Sequence, residues 1–223
     1  MTITNLSRYM DAAILKPETT TQELTEAVNL CVANQAFAVV VKPADVPRAI
    51  ELCVGSETIV CAVLSFPFGA DISASKAEIA REVIAQGAKE IDMVANYGWA
   101  LSGRWAEVEA DIAAVVSVAK PAEVLVKVIV ETAQLNSETI SRFVEACITA
   151  GADYIKTSTG FNGPGAQEED VQLMLDAAGD RLLVKPAGGI RDAERAEMFV
   201  NMGAQRLGIN WTSCQSMWAM ATP

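Results

Sequence analysis

Few residues in this chain could do chemistry, and most of them sit in short apolar runs. Lys156 lies near the end of Tyr154-Ile155-Lys156, just before a Thr/Ser/Gly loop. Lys185 stands in the same context in Leu182-Leu183-Val184-Lys185. Asp92 sits in the middle of Glu90-Ile91-Asp92-Met93-Val94. Burying a lysine as a cation is costly, so two strand lysines ask for a use. A free lysine titrates near 10.4 and is mostly ammonium at neutral pH. Schiff-base chemistry needs the free amine, which a second cation and a dry site both favour. Lys185 beside Lys156 supplies the cation, and Asp92 is the candidate proton shuttle. The competing reading is a rim lysine whose stem lies on apolar surface, with an aspartate serving only as its ion-pair partner.

These residues need a scaffold. Apolar runs of strand length are expected at Ala12–Leu15, Phe37–Val41, Ile59–Ser65, Glu90–Ala95, Val124–Glu131, Tyr154–Thr159, Leu182–Lys185 and Arg206–Asn210. Helical patterns lie between them, at Thr21–Ala33, Ala44–Cys53, Ser75–Gln86, Arg104–Val118, Ser137–Ala150, Glu168–Ala178 and Asp192–Met202. Asp192 reads as a helix N-cap and Ser137 as a helix start, while Gly87, Gly151 and Gly203 read as C-terminal stops. Near-continuous apolar strands alternating with helices predict a parallel sheet buried on both faces. Eight such units without a linker predict a single-domain α/β fold, a (β/α)8 TIM barrel. An open doubly wound sheet is the runner-up, but no GxGxxG turn follows the first strand.

In such a barrel, the C-terminal strand ends converge on one site. Strand alternation places Ser158 on the same face as Lys156. Lys127 and Glu131, in one strand, are read either as support for the site or as a structural ion pair. Two glycine-rich turns follow the lysines, Thr159-Gly160-Phe161-Asn162-Gly163-Pro164-Gly165 and Gly188-Gly189-Ile190-Arg191. Backbone N–H groups of such turns suit a phosphate; the alternative is that they are simply tight strand-to-helix connections.

Composition narrows the function classes. The 223 residues contain no histidine, which excludes a Ser-His-Asp triad and a histidine-ligated zinc site. A net charge of −11 argues against nucleic acid and anionic membranes as partners. No apolar run reaches the length of a membrane span, and Met1–Met10 lacks a basic-then-apolar leader. The cysteines, Cys31, Cys53, Cys61, Cys147 and Cys214, are odd in number and scattered, as expected of core thiols in a reduced cytoplasm.

Over nearly its whole length the chain resembles the deoxyribose-phosphate aldolases, class I aldolases with a (β/α)8 barrel. The resemblance is carried by Asp11 with Leu15-Lys16-Pro17, Phe66-Pro67-Phe68-Gly69, Glu90–Val94, Leu125–Thr132, the Lys156-Thr-Ser-Thr-Gly-Phe161 block and the Lys185-Pro-Ala-Gly-Gly-Ile-Arg191 block. It implies that Lys156 forms the Schiff base, Lys185 perturbs it and Asp92 relays protons. It further implies reversible cleavage of 2-deoxyribose 5-phosphate to glyceraldehyde 3-phosphate and acetaldehyde. The implied partner is a small aldehyde or sugar phosphate, without metal or organic cofactor, and the implied assembly is a homo-oligomer, a dimer or tetramer. Gly160, Phe161, Gly188, Gly189, Asn210 and Trp211 are the expected substrate and phosphate contacts.

The chain also departs from the family pattern. Ala12 and Ala13 follow Asp11 where polar residues are common. Val40 replaces a cysteine, which leaves Cys61 as the strand thiol open to reactive aldehydes, and Lys42 stands where Asn or Tyr is usual. Gly208-Ile209-Asn210-Trp211 replaces a Gly-x-Ser-Ser turn, so Trp211 is expected to narrow the phosphate pocket, and Ser213–Pro223 carries no tyrosine. Two rivals to the family reaction follow: the same lysine chemistry on a non-phosphorylated or differently shaped aldehyde, and a non-catalytic binding barrel.

Overall fold

The computed structural model describes residues 3–221, so the first two residues of Met1–Met10 and the last two of Ser213–Pro223 lie outside the described residues. Eight parallel strands form the frame: β1 Met10–Ile14, β2 Ala38–Val41, β3 Ile59–Leu64, β4 Glu90–Val94, β5 Leu125–Ile129, β6 Tyr154–Lys156, β7 Leu183–Lys185 and β8 Leu207–Asn210. Their order runs β7-β6-β5-β4-β3-β2-β1-β8. The ring closes between β7 and β8 through a parallel bridge from Ala187 to Gly208, with Gly208 N–H donating to the Pro186 carbonyl at 2.8 Å. This is the expected (β/α)8 barrel in one domain. All four residues of β2 and all five of β4 are buried, as parallel strands covered on both faces require.

Helices α1 Thr21–Ala33, α2 Val46–Cys53, α3 Ser73–Ala85, α4 Tyr97–Leu101, α5 Trp105–Ala119, α6 Ser137–Ala150, α7 Glu168–Ala178, α8 Ala193–Met202 and α9 Trp211–Ala221 surround the strands. Asp192 caps α8, accepting from Arg195 N–H at 2.8 Å. The α6 cap is Asn136, one residue before the expected start, and it accepts from Thr139 N–H at 2.9 Å. Gly151 and Gly203 end α6 and α8 in the left-handed conformation. Helices α4 and α9 were not anticipated from the sequence pattern. Among the described residues, no helix is long and apolar enough to cross a membrane.

The barrel interior divides into two halves. On the β1–β3 side, Leu15, Ala38, Val40, Cys61 and Val63 form a small apolar cluster separate from the large strand–helix core. The remaining interior is filled by charged side chains of β1, β4–β7 and the entrance to β8. An apolar wall on one side keeps water out of the charged half, which strengthens every electrostatic contact there.

Candidate active site

Lys156 and Lys185 are register partners on adjacent strands, and Asp92 reaches both. Asp92 Oδ2 accepts from Lys156 Nζ at 2.6 Å and from Lys185 Nζ at 2.7 Å. Its Oδ1 accepts from Lys127 Nζ at 2.9 Å. Deeper in the barrel, Lys127 pairs with Glu90 Oε2 at 2.5 Å, and Arg206 holds Glu90 through two bonds, at 2.9 and 3.0 Å. Asp11 accepts from Arg206 at 2.7 Å and also receives the Lys185 ammonium. The guanidinium of Arg206 lies 3.4 Å from the centre of the Phe37 ring. Each carboxylate of this network therefore meets at least two cations, which is how its buried charge is tolerated.

Four cations (Lys127, Lys156, Lys185, Arg206) face three carboxylates (Asp11, Glu90, Asp92). The surplus positive charge falls on Lys156. Burial pushes its ammonium below the ordinary lysine range; Asp92 opposes this, and the Lys185 charge adds to it. Lys127 moves the other way: burial disfavours its charge, but Asp92, Cys61, Asp11 and Glu90 together hold it well above the usual value. Asp92 is held well below the carboxylate range because Lys127, Lys156 and Lys185 outweigh its burial. Asp92 thus stays an anion that accepts hydrogen bonds from the three amines and orients them.

A cavity of about 370 Å³ opens above this network. Lys156 lines it, whereas Lys127 and Lys185 are fully buried and do not. Gly160, Phe161, Gly188, Gly189 and Asn210 form part of the wall, with Lys16 and Arg191 as exposed cations at the rim. The N–H groups of Gly160, Gly189 and Ile190 have no acceptor among the described residues. Gly188, Gly189 and Arg191 lead into the N-terminus of α8, whose partial positive charge favours an anion. An amine at one end of the cavity and N–H groups without acceptors at the other offer complementary ends to a carbonyl compound that carries an anionic group.

Comparison with known proteins agrees with this geometry. The sequence profile of the DeoC/LacD family aldolases matches residues 4–210. The chain belongs to this aldolase family. It is 41% identical over 203 residues to the deoxyribose-phosphate aldolase of Mannheimia succiniciproducens, covering 91% of this chain and 90% of that protein. It is 43% identical over 201 residues to deoxyribose-phosphate aldolase 1 of Staphylococcus aureus, with 90% of each chain covered. The tetrameric deoxyribose phosphate aldolase of Aeropyrum pernix superposes with a TM-score of 0.89 at 27% identity, covering 97% of this chain and 91% of that one. DeoC/LacD aldolases are lyases, and this chain is an enzyme of that kind.

The site departs from the sequence-based expectations in four places. First, Ser158 does not accompany Lys156: β6 ends at Lys156, so strand alternation stops, and the buried Ser158 hydroxyl has no hydrogen-bond partner among the described residues and does not line the cavity. Second, Lys127 does not pair with Glu131. The chain turns left-handed at Glu131 (φ 61°) and its carboxylate swings to Thr159 and Asn162. Third, Trp211 does not narrow the pocket. It opens α9 and packs against the core, and Thr212 and Ser213 reach the cavity wall in its place. Asn210 caps this turn, accepting from Thr212 N–H at 3.0 Å. Fourth, Cys61 is sealed in the charge network, 3.2 Å from Asp92 Oδ1, and burial together with that carboxylate pushes its thiol upward, so it is an inert thiol.

Asp11, Glu90 and Arg206 were not picked out as working residues in the sequence. The signal was present: Asp11 and Glu90 are charged residues in otherwise apolar strands, and Arg206 immediately precedes another. Lys42 is also placed, donating to the Lys16 carbonyl at 3.0 Å and so fixing the loop that carries Lys16 to the rim.

Proposed function

We propose that this family member cleaves 2-deoxy-D-ribose 5-phosphate reversibly into D-glyceraldehyde 3-phosphate and acetaldehyde, through a Schiff base on Lys156. The observation that carries the assignment is that Lys156 alone among the three network lysines lines the cavity, with its amine pressed toward neutrality. The free amine adds to the sugar aldehyde carbon, and loss of water gives an iminium. The C3 hydroxyl proton then leaves, the C2–C3 bond breaks, and its electron pair forms an enamine on Lys156. Glyceraldehyde 3-phosphate departs, the enamine carbon is protonated, and water releases acetaldehyde.

Asp92 steadies the cationic iminium and passes protons between Lys185 and the reacting nitrogen, since one oxygen contacts both amines. Gly188, Gly189 and Arg191, with Gly160 opposite, take the phosphate. Phe161 covers the carbon chain and Asn210 borders the site. The relatives named deoxyribose-phosphate aldolase support this substrate. Assembly as a dimer or tetramer and a cytoplasmic location belong to the same reading, supported by the tetrameric relative and the scattered buried thiols.

The test has two parts. Retro-aldol cleavage of 2-deoxyribose 5-phosphate is compared with that of 2-deoxyribose, following acetaldehyde release; a strong preference for the phosphate ester is expected, and equal rates would refute the anion site. Borohydride should trap acetaldehyde on the wild type but not on Lys156→Met. Retained trapping in that variant would remove Lys156 from its role.

A further inference from the structure

Glu131 takes no part in the lysine network, yet it is nearly fully buried. Among the described residues no lysine or arginine pairs with it. A buried carboxylate without a countercharge is expensive, and a left-handed backbone at a non-glycine residue adds to the cost. What it does instead is accept three hydrogen bonds from a single loop. Its Oε1 accepts from Thr159 N–H at 3.1 Å, and its Oε2 from the Thr159 hydroxyl at 2.5 Å and from Asn162 Nδ2 at 3.1 Å.

The consequences spread along that loop. The Thr159 hydroxyl, oriented by Glu131, accepts from Phe161 N–H at 3.0 Å. The Asn162 amide also donates to the Pro67 carbonyl at 3.2 Å, tying the β6–α7 loop to the β3–α3 loop. Across the same junction the Phe161 ring meets Phe66 edge-on at 5.2 Å. Thr159, Gly160 and Phe161 all line the cavity, so the three bonds fix one of its walls.

We propose that Glu131 is a positioning residue for the non-reacting end of the substrate: it holds the 159–162 wall in place while leaving Schiff-base formation on Lys156 alone. The proposal rests on the reading of the cavity as a Schiff-base aldolase site. It follows from the number of acceptors. Three donors face Glu131, and a glutamine offers one oxygen in place of two, so Glu131→Gln must release part of the loop. A two-carbon aldehyde needs only the lysine end, whereas the sugar phosphate needs the wall.

The experiment measures two quantities on wild type, Glu131→Gln and Asn162→Ala: borohydride trapping of acetaldehyde, and kcat and KM for 2-deoxyribose 5-phosphate cleavage. Glu131→Gln is expected to raise KM about tenfold while trapping changes less than about twofold. Asn162→Ala, which cuts one Glu131 bond and the Pro67 link, should move KM in the same direction by less. It decides the matter if Glu131→Gln does not fold. An unchanged KM, or trapping that falls in step with turnover, overturns the proposal. Failure of the wild type to trap acetaldehyde would instead sink the lysine reading beneath it.

Discussion

Glu90 receives both prongs of the Arg206 guanidinium, at 2.9 and 3.0 Å, at the N-terminal end of the barrel strands. Neither residue touches Lys156. Both belong to the same network of cations and carboxylates, so changing either should be felt at its amine.

Removing Arg206 charge leaves three cations, protonated Lys156 included, against three carboxylates. The ammonium is then favoured, and the acid limb of the kcat/KM profile should move to higher pH in Arg206→Met. Glu90→Gln leaves four cations against two carboxylates, so the limb should move to lower pH. The double variant, with three cations against two carboxylates, restores the surplus of one cation and should return the limb toward its original place. Each unit of displacement changes the reactive fraction on the acid side about tenfold. Opposite shifts from two neighbours are a result that general damage to the fold cannot imitate. Shifts of the same sign would refute the balance.

Lys156, the proposed Schiff-base lysine, is also a liability for the fold. A lysine held below its unfolded value binds fewer protons in the native state than in the unfolded chain. Between those two values, stability rises with pH. Neutral pH lies below the unfolded lysine value, so there the wild type bears a cost for holding this amine in the barrel. Lys156→Met removes it and leaves Asp92 still paired with Lys127 and Lys185. The variant should lose turnover yet melt higher at neutral pH, by about 2–4 °C for each kcal/mol relieved in a chain of this size. The gap should shrink as pH climbs toward the free-lysine value. Calorimetry across pH checks both statements, and a lower melting point at neutral pH would contradict them.

The anion end rests on backbone packed against backbone. A Cβ at Gly188 would lie 3.1 Å from Gly165 Cα and 3.2 Å from Gly160 Cα, and one at Gly165 would lie 2.4 Å from the Gly188 carbonyl carbon. Both glycines have positive φ. Gly188→Ala should cost about 1–2 kcal/mol of backbone strain and raise KM for the phosphate ester, with acetaldehyde trapping intact. Gly165→Ala should destabilise more, since no flexible side chain can give way. Melting curves and steady-state kinetics on the two variants test the order.

Much of this was legible in the sequence because each signal was local. The eight strands announced themselves as apolar runs, and Asp192 and Gly151 punctuated helices as their chemistry demands. Lys156, Lys185 and Asp92 stood out because a charge in an apolar strand is visible without a structure. What stayed hidden depended on distance or on a single torsion. Arg206 meets Glu90 from 116 positions away and Asp11 from 195, and no periodicity encodes that. Glu131 looked like a partner for Lys127 until one left-handed residue turned it elsewhere. Trp211 looked like part of the pocket because it follows β8 directly, but α9 begins at that residue, its partly buried ring packs against the core, and Thr212 and Ser213 reach the cavity instead.

Gly208 shows how tightly closure and chemistry are bound together. It lies where the first and last parts of the strand ring meet, and a methyl group there would lie 2.6 Å from the Ala187 side chain and 3.4 Å from Lys185 Cε. The space of one hydrogen atom thus lets the ring seal and lets the stem of Lys185 pass alongside. A larger residue there would not pack better: the same gap serves as the barrel's clasp and as the channel along which the stem of Lys185 reaches Asp92.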